Sequence, residues 1–259
     1  MPGIARTGPR GDLAAALATA AGKATYVRAL FHEIAPRYDE ITVWLSFGRD
    51  SGWKDVLVRM AAVQPGDHAL DLACGTGDIA VRLQAAGARV VGLDLTLRML
   101  RLAAHKPGLE GMRWVCGDML ALPVPAATQH VVTAGYGLRN VPDLRQSLRE
   151  IRRVLVPGGR FLSLDFTLPR QPVVRKAYLT YLRVVGGAVG QWLHGDPDTY
   201  RYIPESLERY PGAAGVAALM REEGFTQVSW WPLLGGLMAI TVGHVPGNAE
   251  RRTPNAERP

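Results

Sequence analysis

The 259-residue chain has only two cysteines, Cys74 and Cys116. Two thiols make no disulfide framework, and a reducing, cytoplasmic compartment is expected. Their spacing suits no metal site, and the six histidines form no H-x-x-x-H pair, so no metal centre is expected. No apolar run is long enough to span a membrane. The most apolar stretch, 177–193, is short and is cut by Arg183. There is no internal repeat, no Asn/Asp-Pro-Pro-aromatic motif and no basic run with interleaved aromatics. That argues against a nucleic-acid substrate, despite a net charge of +7 from 30 Lys+Arg against 23 Asp+Glu. The excess is mostly arginine, which permits attraction to anionic lipid.

A chain of this length can bury one full core, with or without a cap. Arg6 and Arg10 precede the alanine-rich run 13–21, a faint secretory-signal pattern. Asp12 interrupts it and alanine makes a poor apolar segment, so residues 1–24 read as a disordered or loosely helical tail. Residues 25–246 read as one domain. Its parts are a helical lid (25–65), a cofactor-binding core (66–168), a cap (169–210) and a C-terminal helix with strands (211–246). Residues 247–259 are polar and read as a disordered tail.

The chain is organised around Ala69-Leu-Asp-Leu-Ala-Cys-Gly-Thr-Gly-Asp-Ile-Ala80. An apolar strand meets a glycine turn, and a helical pattern begins. This is the first strand–turn–helix of an open α/β nucleotide-binding sheet. Gly75-x-Gly77-x-x-Ala80 fits a dinucleotide fingerprint only loosely. Asp71 discriminates: a carboxylate there would repel a pyrophosphate but suits a cation. S-adenosylmethionine carries an ammonium and a sulfonium, and the acid-x-x-x-Gly-x-Gly pattern resembles that of class I methyltransferases. Asp94 closes the second strand and can accept both ribose hydroxyls. Asp118 follows the third strand and can accept the adenine amino group, with Met119 against the ring. As open sheets bind ligands at strand carboxyl ends, the three acids reinforce one another.

The remaining periodicity gives strands at 68–73, 89–94, 112–116, 130–134 and 160–165, with helices between them. Asp143 is placed to cap a helix striped by Leu144, Leu148, Ile151 and Leu155, and Pro157-Gly158-Gly159 is expected to end it. After the cap come a helix at 215–223 and strands at 225–231 and 239–244. The fold class is therefore α/β: a Rossmann-like, mostly parallel sheet with an antiparallel last strand, an N-terminal helical lid and a cap after strand five.

Three further stretches carry a more specific resemblance. Tyr136-Gly-Leu-Arg-Asn-Val-Pro-Asp143 runs into Leu148-Arg-Glu-Ile-x-Arg-Val-Leu-x-Pro-Gly-Gly159, and Tyr200-Arg-Tyr-Ile-Pro-Glu-Ser206 lies in the cap. Phe31-x-x-Ile-Ala-x-Arg-Tyr-Asp39, Ser46-x-Gly48 and Trp53-Lys54 open the chain. Together they resemble the ubiquinone/menaquinone C-methyltransferase family, from about residue 26 to about residue 245. The resemblance implies a polyprenylated quinol substrate, methylated at a ring carbon. It places Arg139 and Asn140 in the quinol site and Tyr38 on its lid side. The residues expected to hold S-adenosylmethionine are Asp71, Gly75, Thr76, Gly77, Asp94, Leu95, Asp118, Met119 and Gly135.

The sequence departs from the family in places. Thr42-Val43 stand where Asn-Asp is usual, Asp50-Ser51-Gly52 replace a His-Arg, and Gly135 stands where serine is frequent. The departures hardly touch the cofactor site, and those in the lid favour a menaquinone-type naphthoquinol. They also leave open another lipid or natural-product phenol as acceptor, and a non-catalytic cofactor-binding scaffold. The apolar span 173–193 is a candidate groove for an isoprenoid tail. Membrane contact is expected to be peripheral, at the inner face. A homodimer and a biosynthetic complex both remain compatible with the sequence.

Overall fold

The computed structural model describes Leu13 and residues 18–169, 171–194 and 197–247. The expected tails lie largely outside the described residues. Helix α1 (Ala20–Ile34) begins at Thr19, whose hydroxyl accepts the Gly22 N–H at 3.0 Å. A 3-10 turn (Ala35–Arg37) leads to α2 (Tyr38–Leu45), and α3 (Asp50–Ala61) follows.

The sheet then forms from β1 (His68–Leu72), β2 (Arg89–Asp94), β3 (Arg113–Cys116), β4 (Gln129–Gly135), β5 (Leu155–Phe166), β6 (Thr226–Leu233) and β7 (Met238–His244). Its order is β3-β2-β1-β4-β5-β7-β6, and β7 runs antiparallel to both neighbours. Helices α4 (Asp78–Ala85), α5 (Leu97–Ala104) and α6 (Leu144–Val154) connect the parallel strands. The chain order reverses between β1 and β4, and the ligand crevice of an open sheet lies there.

Period-two alternation assigns the strand residues to two faces. Ala69, Val131 and Leu162 pack beneath Leu57 and Ala61 of α3 and Leu83 of α4. Leu70, Val132 and Phe161 pack against Leu148 and Ile151 of α6 and against Met220 of α9 (Gly212–Glu222). Asp143 caps α6 as expected, accepting the Gln146 N–H at 2.9 Å.

Between β5 and α9 lie α7 (Pro172–His194), a 3-10 turn (Pro197–Tyr200) and α8 (Tyr202–Arg209). The expected end of α6 needs correction. Pro157-Gly158-Gly159 does not separate helix from strand but lies inside β5. Gln129 pairs with Leu155 and Val131 with Arg160, so the triplet forms an irregularity within the strand, with Gly158 at φ +80°.

Candidate active site

The turn after β1 needs unusual backbone: Ala73, Gly75 and Gly77 all have positive φ. The Gly75 N–H donates to Asp94 Oδ2 at 2.9 Å, and the Thr96 N–H donates to Asp94 Oδ1 at 2.8 Å. The end of β2 is thereby pinned to the end of β1. An ionised carboxylate has about four acceptor positions, so lone pairs remain for a ligand's hydroxyls.

A cleft of about 720 Å³ opens above this pair. Gly75, Asp94, Leu95, Asp118, Met119, Gly135 and Asn140 line it from the sheet side, and Val27, Phe31 and Tyr38 cover it. A Cβ on Gly75 would lie 3.6 Å from the Tyr38 ring, and its absence leaves backbone facing the cleft. A Cβ on Gly135 would lie 2.6 Å from Ile79 Cδ1, so that position is fixed by packing. Two carboxylates over a glycine turn, roofed by apolar rings, fit S-adenosylmethionine: the acids suit its cations and diol, and the rings suit its base.

Three of the expected cofactor residues do not line the cleft. Asp71 is fully buried below the turn, on the α3–α4 side of the sheet. Its register partner across β1–β4 is Thr133, whose hydroxyl donates to Asp71 Oδ1 at 2.8 Å, while Oδ2 is buried without a partner. Burial raises its pKa to about 7, against the opposing pull of Thr133 and Lys54. Gly77 starts α4, and a Cβ there would strike Leu109 and Trp114. Thr76 turns to the lid, donating to Asp39 Oδ1 at 2.6 Å. These three shape the turn from beneath and beside it.

A second chamber of about 600 Å³ adjoins the first. Leu30, Ile34, Ile41, Leu45, Trp53, Phe166, Tyr200, Tyr202 and Ile203 line it, and Arg139 is the charged residue in its wall. Phe31, Tyr38 and Tyr136 border both chambers. The described residues lining this chamber include none from 173–192. The apolar surface of this chamber therefore comes mainly from α1, α2 and the 200–203 segment, and not from the cap helix.

Arg139 and Asn140 share the 3-10 turn Leu138–Asn140 and face different chambers. Arg139 Nη1 donates to Ser206 Oγ at 2.9 Å, and Nε lies 3.5 Å from Asp165 Oδ1. The guanidinium carbon sits 5.0 Å from the Phe166 ring centroid. Nε makes no hydrogen bond although it is buried. Burial holds the Asp165 carboxyl above the usual range, and Arg139 opposes that shift. Asn140 Nδ2 donates to the Tyr136 carbonyl at 2.9 Å, and its Oδ1 accepts from the Tyr202 hydroxyl at 3.1 Å.

Sequence reasoning missed the network that seats the lid. The Tyr136 hydroxyl donates to Asp50 Oδ1 at 2.5 Å, and buried Lys54 bridges Asp50 Oδ2 at 2.5 Å and Asp78 Oδ2 at 2.9 Å. Lys106 continues it, from Asp78 Oδ1 at 3.0 Å to Asp39 Oδ2 at 2.7 Å. Burial alone would depress the Lys54 pKa, but Asp50 and Asp78 more than offset it and the net shift is upward. Tyr136 has φ +58°, uncommon for a bulky residue, and its N–H is held by the Leu164 carbonyl at 2.7 Å. The signal available in the sequence was a lysine at helical spacing from an acid, Asp50 and Lys54, on an otherwise apolar stripe.

The sheet with its lone antiparallel strand, the glycine turn at the switch point and the acid closing β2 define a class I methyltransferase. The fold is shared with a SAM-dependent methyltransferase of Thermotoga maritima (17% identity, TM-score 0.61, covering 84% of this chain and 99% of that one). A SAM-dependent methyltransferase of Aquifex aeolicus is also similar (16% identity, TM-score 0.54, covering 74% and 89%). The chain belongs to the ubiE/COQ5 methyltransferase family, whose sequence pattern matches residues 19–245. It is 40% identical over 221 residues to a demethylmenaquinone methyltransferase of Thermus thermophilus, covering 84% of this chain and all of that one. It is 41% identical over 231 residues to a 2-phytyl-1,4-naphthoquinone methyltransferase of Thermosynechococcus vestitus (84% and 98%). It is 38% identical over 217 residues to a ubiquinone/menaquinone biosynthesis C-methyltransferase of Rubrivivax gelatinosus (84% and 86%). The protein is an S-adenosylmethionine-dependent methyltransferase.

Proposed function

We propose that the protein methylates a ring carbon of a polyprenylated quinol in quinone biosynthesis, with a naphthoquinol of the demethylmenaquinol type preferred over a benzoquinol. The observation that carries this reading is Arg139, a buried guanidinium in the wall of an otherwise apolar chamber that abuts the cofactor cleft. The names of the Thermus and Thermosynechococcus relatives support the naphthoquinone nucleus.

Bound S-adenosylmethionine supplies an electrophilic methyl group on a sulfonium. In this reading Asp94 accepts the ribose hydroxyls, Asp118 and Met119 receive the adenine, and Gly75, Leu95 and Gly135 form the floor. Asp71, Thr76 and Gly77 act on the shape of the turn. An aromatic carbon becomes nucleophilic when a neighbouring hydroxyl gives up its proton. Arg139 stabilises the resulting phenolate, and the dry wall around it strengthens that attraction. Tyr38, which borders both chambers, and Asn140, on the cleft side, orient the ring against the cleft. The methyl leaves its sulfur as the ring-carbon bond forms, S-adenosylhomocysteine departs, the ring carbon releases its proton and the oxygen takes one up, which restores the quinol.

The protein meets its acceptor as a peripheral visitor from the cytoplasmic side. Among the described residues, no helix is long and apolar enough to cross a membrane. The test is incubation with labelled S-adenosylmethionine and either demethylmenaquinol or a demethylated benzoquinol. Label on the naphthoquinol ring carbon is the expected product. Label only on oxygen, or only on another phenol from a lipid extract, overturns the assignment.

A further inference from the structure

Helix α7 is apolar on two sides. Tyr178, Leu179 and Leu182 are buried against the rest of the protein. Val173, Ala177, Val184, Ala188 and Trp192 form a second stripe, and all of them are exposed. At about 100° per residue, these five positions and Tyr181 fall within about 100° of arc. Val184 is 66% and Trp192 72% exposed, so among the described residues no neighbouring element covers the stripe there. An exposed apolar stripe on a second side of a helix marks an interaction site.

The stripe does not end with α7. The Phe47 ring stacks on Tyr181 with centroids 5.2 Å apart. Phe47 sits at φ +55° and Gly48 at φ +71°, a turn that throws the ring outward from the end of α2. Val43 and Trp44 on the same turn are also exposed, Trp44 at 59%. Meanwhile Ile41, Thr42 and Leu45 of α2 line the apolar chamber. One short helix therefore presents its inner side to the candidate quinol site and its outer side to solvent, beside the exposed stripe.

Charge identifies the partner. Pro172–His194 contains Arg175, Lys176 and Arg183 and no aspartate or glutamate. Lys176 and Arg183 fall on one edge of the apolar stripe, and Arg49 is exposed beside Phe47. Arg183 is also paired with Glu208 at 3.1 Å. Exposed valines and a tryptophan on an acid-free, basic-edged helix are the composition of an element that lies in a bilayer interface.

We infer that the outer stripe of α7, with Val43, Trp44 and Phe47 of the α2 tip, is a docking face for an anionic lipid bilayer. It sets the mouth of the apolar chamber against the membrane, so a lipid-borne acceptor enters without crossing water. Only that last consequence rests on the proposed function. The docking face itself stands on the geometry.

The experiment is sedimentation of the full-length protein with vesicles of phosphatidylcholine alone or mixed with phosphatidylglycerol. The parent is expected to sediment with the mixed vesicles and much less with the neutral ones. Val184→Asp/Trp192→Asp should reduce that binding about tenfold or more, and Lys176→Glu should reduce it for mixed vesicles only. Circular dichroism and melting of each variant confirm folding. Brominated lipids should quench parent fluorescence, and Trp44→Phe/Trp192→Phe should remove most of the quenching. Methyl transfer to a tail-less quinol in detergent-free buffer should be unchanged in the α7 variants, which separates failure at the membrane from failure of the catalytic reading. Absence of parent binding to any vesicle overturns the proposal. So does a parent dimer that Val184→Asp/Trp192→Asp converts to monomer, because the stripe would then be covered by a second copy of the chain.

Discussion

The Lys23 ammonium donates a 3.0 Å hydrogen bond to the backbone carbonyl of Arg139, and a second at 2.7 Å to that of Val141. Helix α1, which roofs the cleft through Val27 and Phe31, is thereby tied to the turn that carries Arg139 and Asn140. Burial, then the Arg139 and Arg209 charges, lower the Lys23 pKa from 10.5 to about 8, with Asp165 opposing.

That depression fixes the sign of a pH effect. As pH falls from 10.5 to about 8, the unfolded chain takes up the proton before the folded protein does. The folded state therefore loses stability with falling pH across that window and gains it with rising pH. Lys23→Met lacks this titration. The melting temperature of the parent should pull further ahead of the variant as pH rises through the window, and a constant gap would show that Lys23 titrates normally.

Asp94 is expected to hold the ribose hydroxyls while also accepting two backbone N–H groups. Asp94→Ala should weaken S-adenosylmethionine binding by about 1–3 kcal/mol, the cost of hydroxyls without a charged acceptor. Asp94→Asn keeps one acceptor oxygen and should lose less. Calorimetric titration of both variants measures this, and parental affinity in Asp94→Ala would move the nucleoside elsewhere.

Asp71 predicts the opposite pH trend from Lys23. Its folded pKa, about 7, lies above the ordinary carboxyl value of 3.8. The unfolded chain ionises first as pH rises, so stability from this group is full below about pH 4 and is lost as pH approaches 7. Asp71→Asn does not titrate. Its stability relative to the parent should improve steadily between pH 4 and 7 in urea titrations, whatever the offset at low pH.

Much of this arrangement was legible in the chain. The glycine turn, Asp94 and Asp118 sit where strand ends and spacing put them, because the doubly wound sheet ties those positions to one crevice. The Pro157-Gly158-Gly159 triplet misled because turn chemistry also serves a strand irregularity when the next strand continues the pairing. Asp71 lies off the cleft for a geometric reason: pleating sends alternate residues to opposite faces, and its carboxylate accepts from Thr133. Of the second chamber, the resemblance supplied Arg139 and Tyr38 but not the enclosure around them. Its walls come from residues 30–53, 136–139, Phe166 and 199–203, which only the docked lid brings together. The apolar span 173–193 was visible, but the period alone did not say which of its two faces was buried.

Lys54 tests the docking of the lid. It is the buried cation between Asp50 and Asp78, and Asp50 in turn holds the Tyr136 hydroxyl. Lys54→Met leaves Asp50 buried and uncompensated, so it should cost about 3–5 kcal/mol of unfolding free energy. Hydrogen exchange should rise first in α3 and at the end of β4. A loss under about 1 kcal/mol would mean that the pair behaves like an exposed one.

Arg139 carries two roles that a single substitution confounds. Its guanidinium faces the apolar chamber, and it also lies beside the fully buried Asp165. Arg139→Ala should lower the methyl-transfer rate by about 10²–10³, the usual loss of one charge-stabilising donor. It should also destabilise the fold, because removing one partner strands the other charge, although protonation of Asp165 limits the cost. The double variant Arg139→Met/Asp165→Asn removes both charges together. It should recover most of the lost melting temperature and none of the lost rate. Arg139→Lys keeps the charge without the planar fork of donors, so its rate should fall between the two. In single-turnover measurements normalised to folded protein, the deficit should shrink as pH rises toward the pKa of the quinol hydroxyl, where the acceptor ionises unaided. A double variant that regains rate together with stability would reduce Arg139 to a structural ion pair and leave the acceptor to be activated by another group.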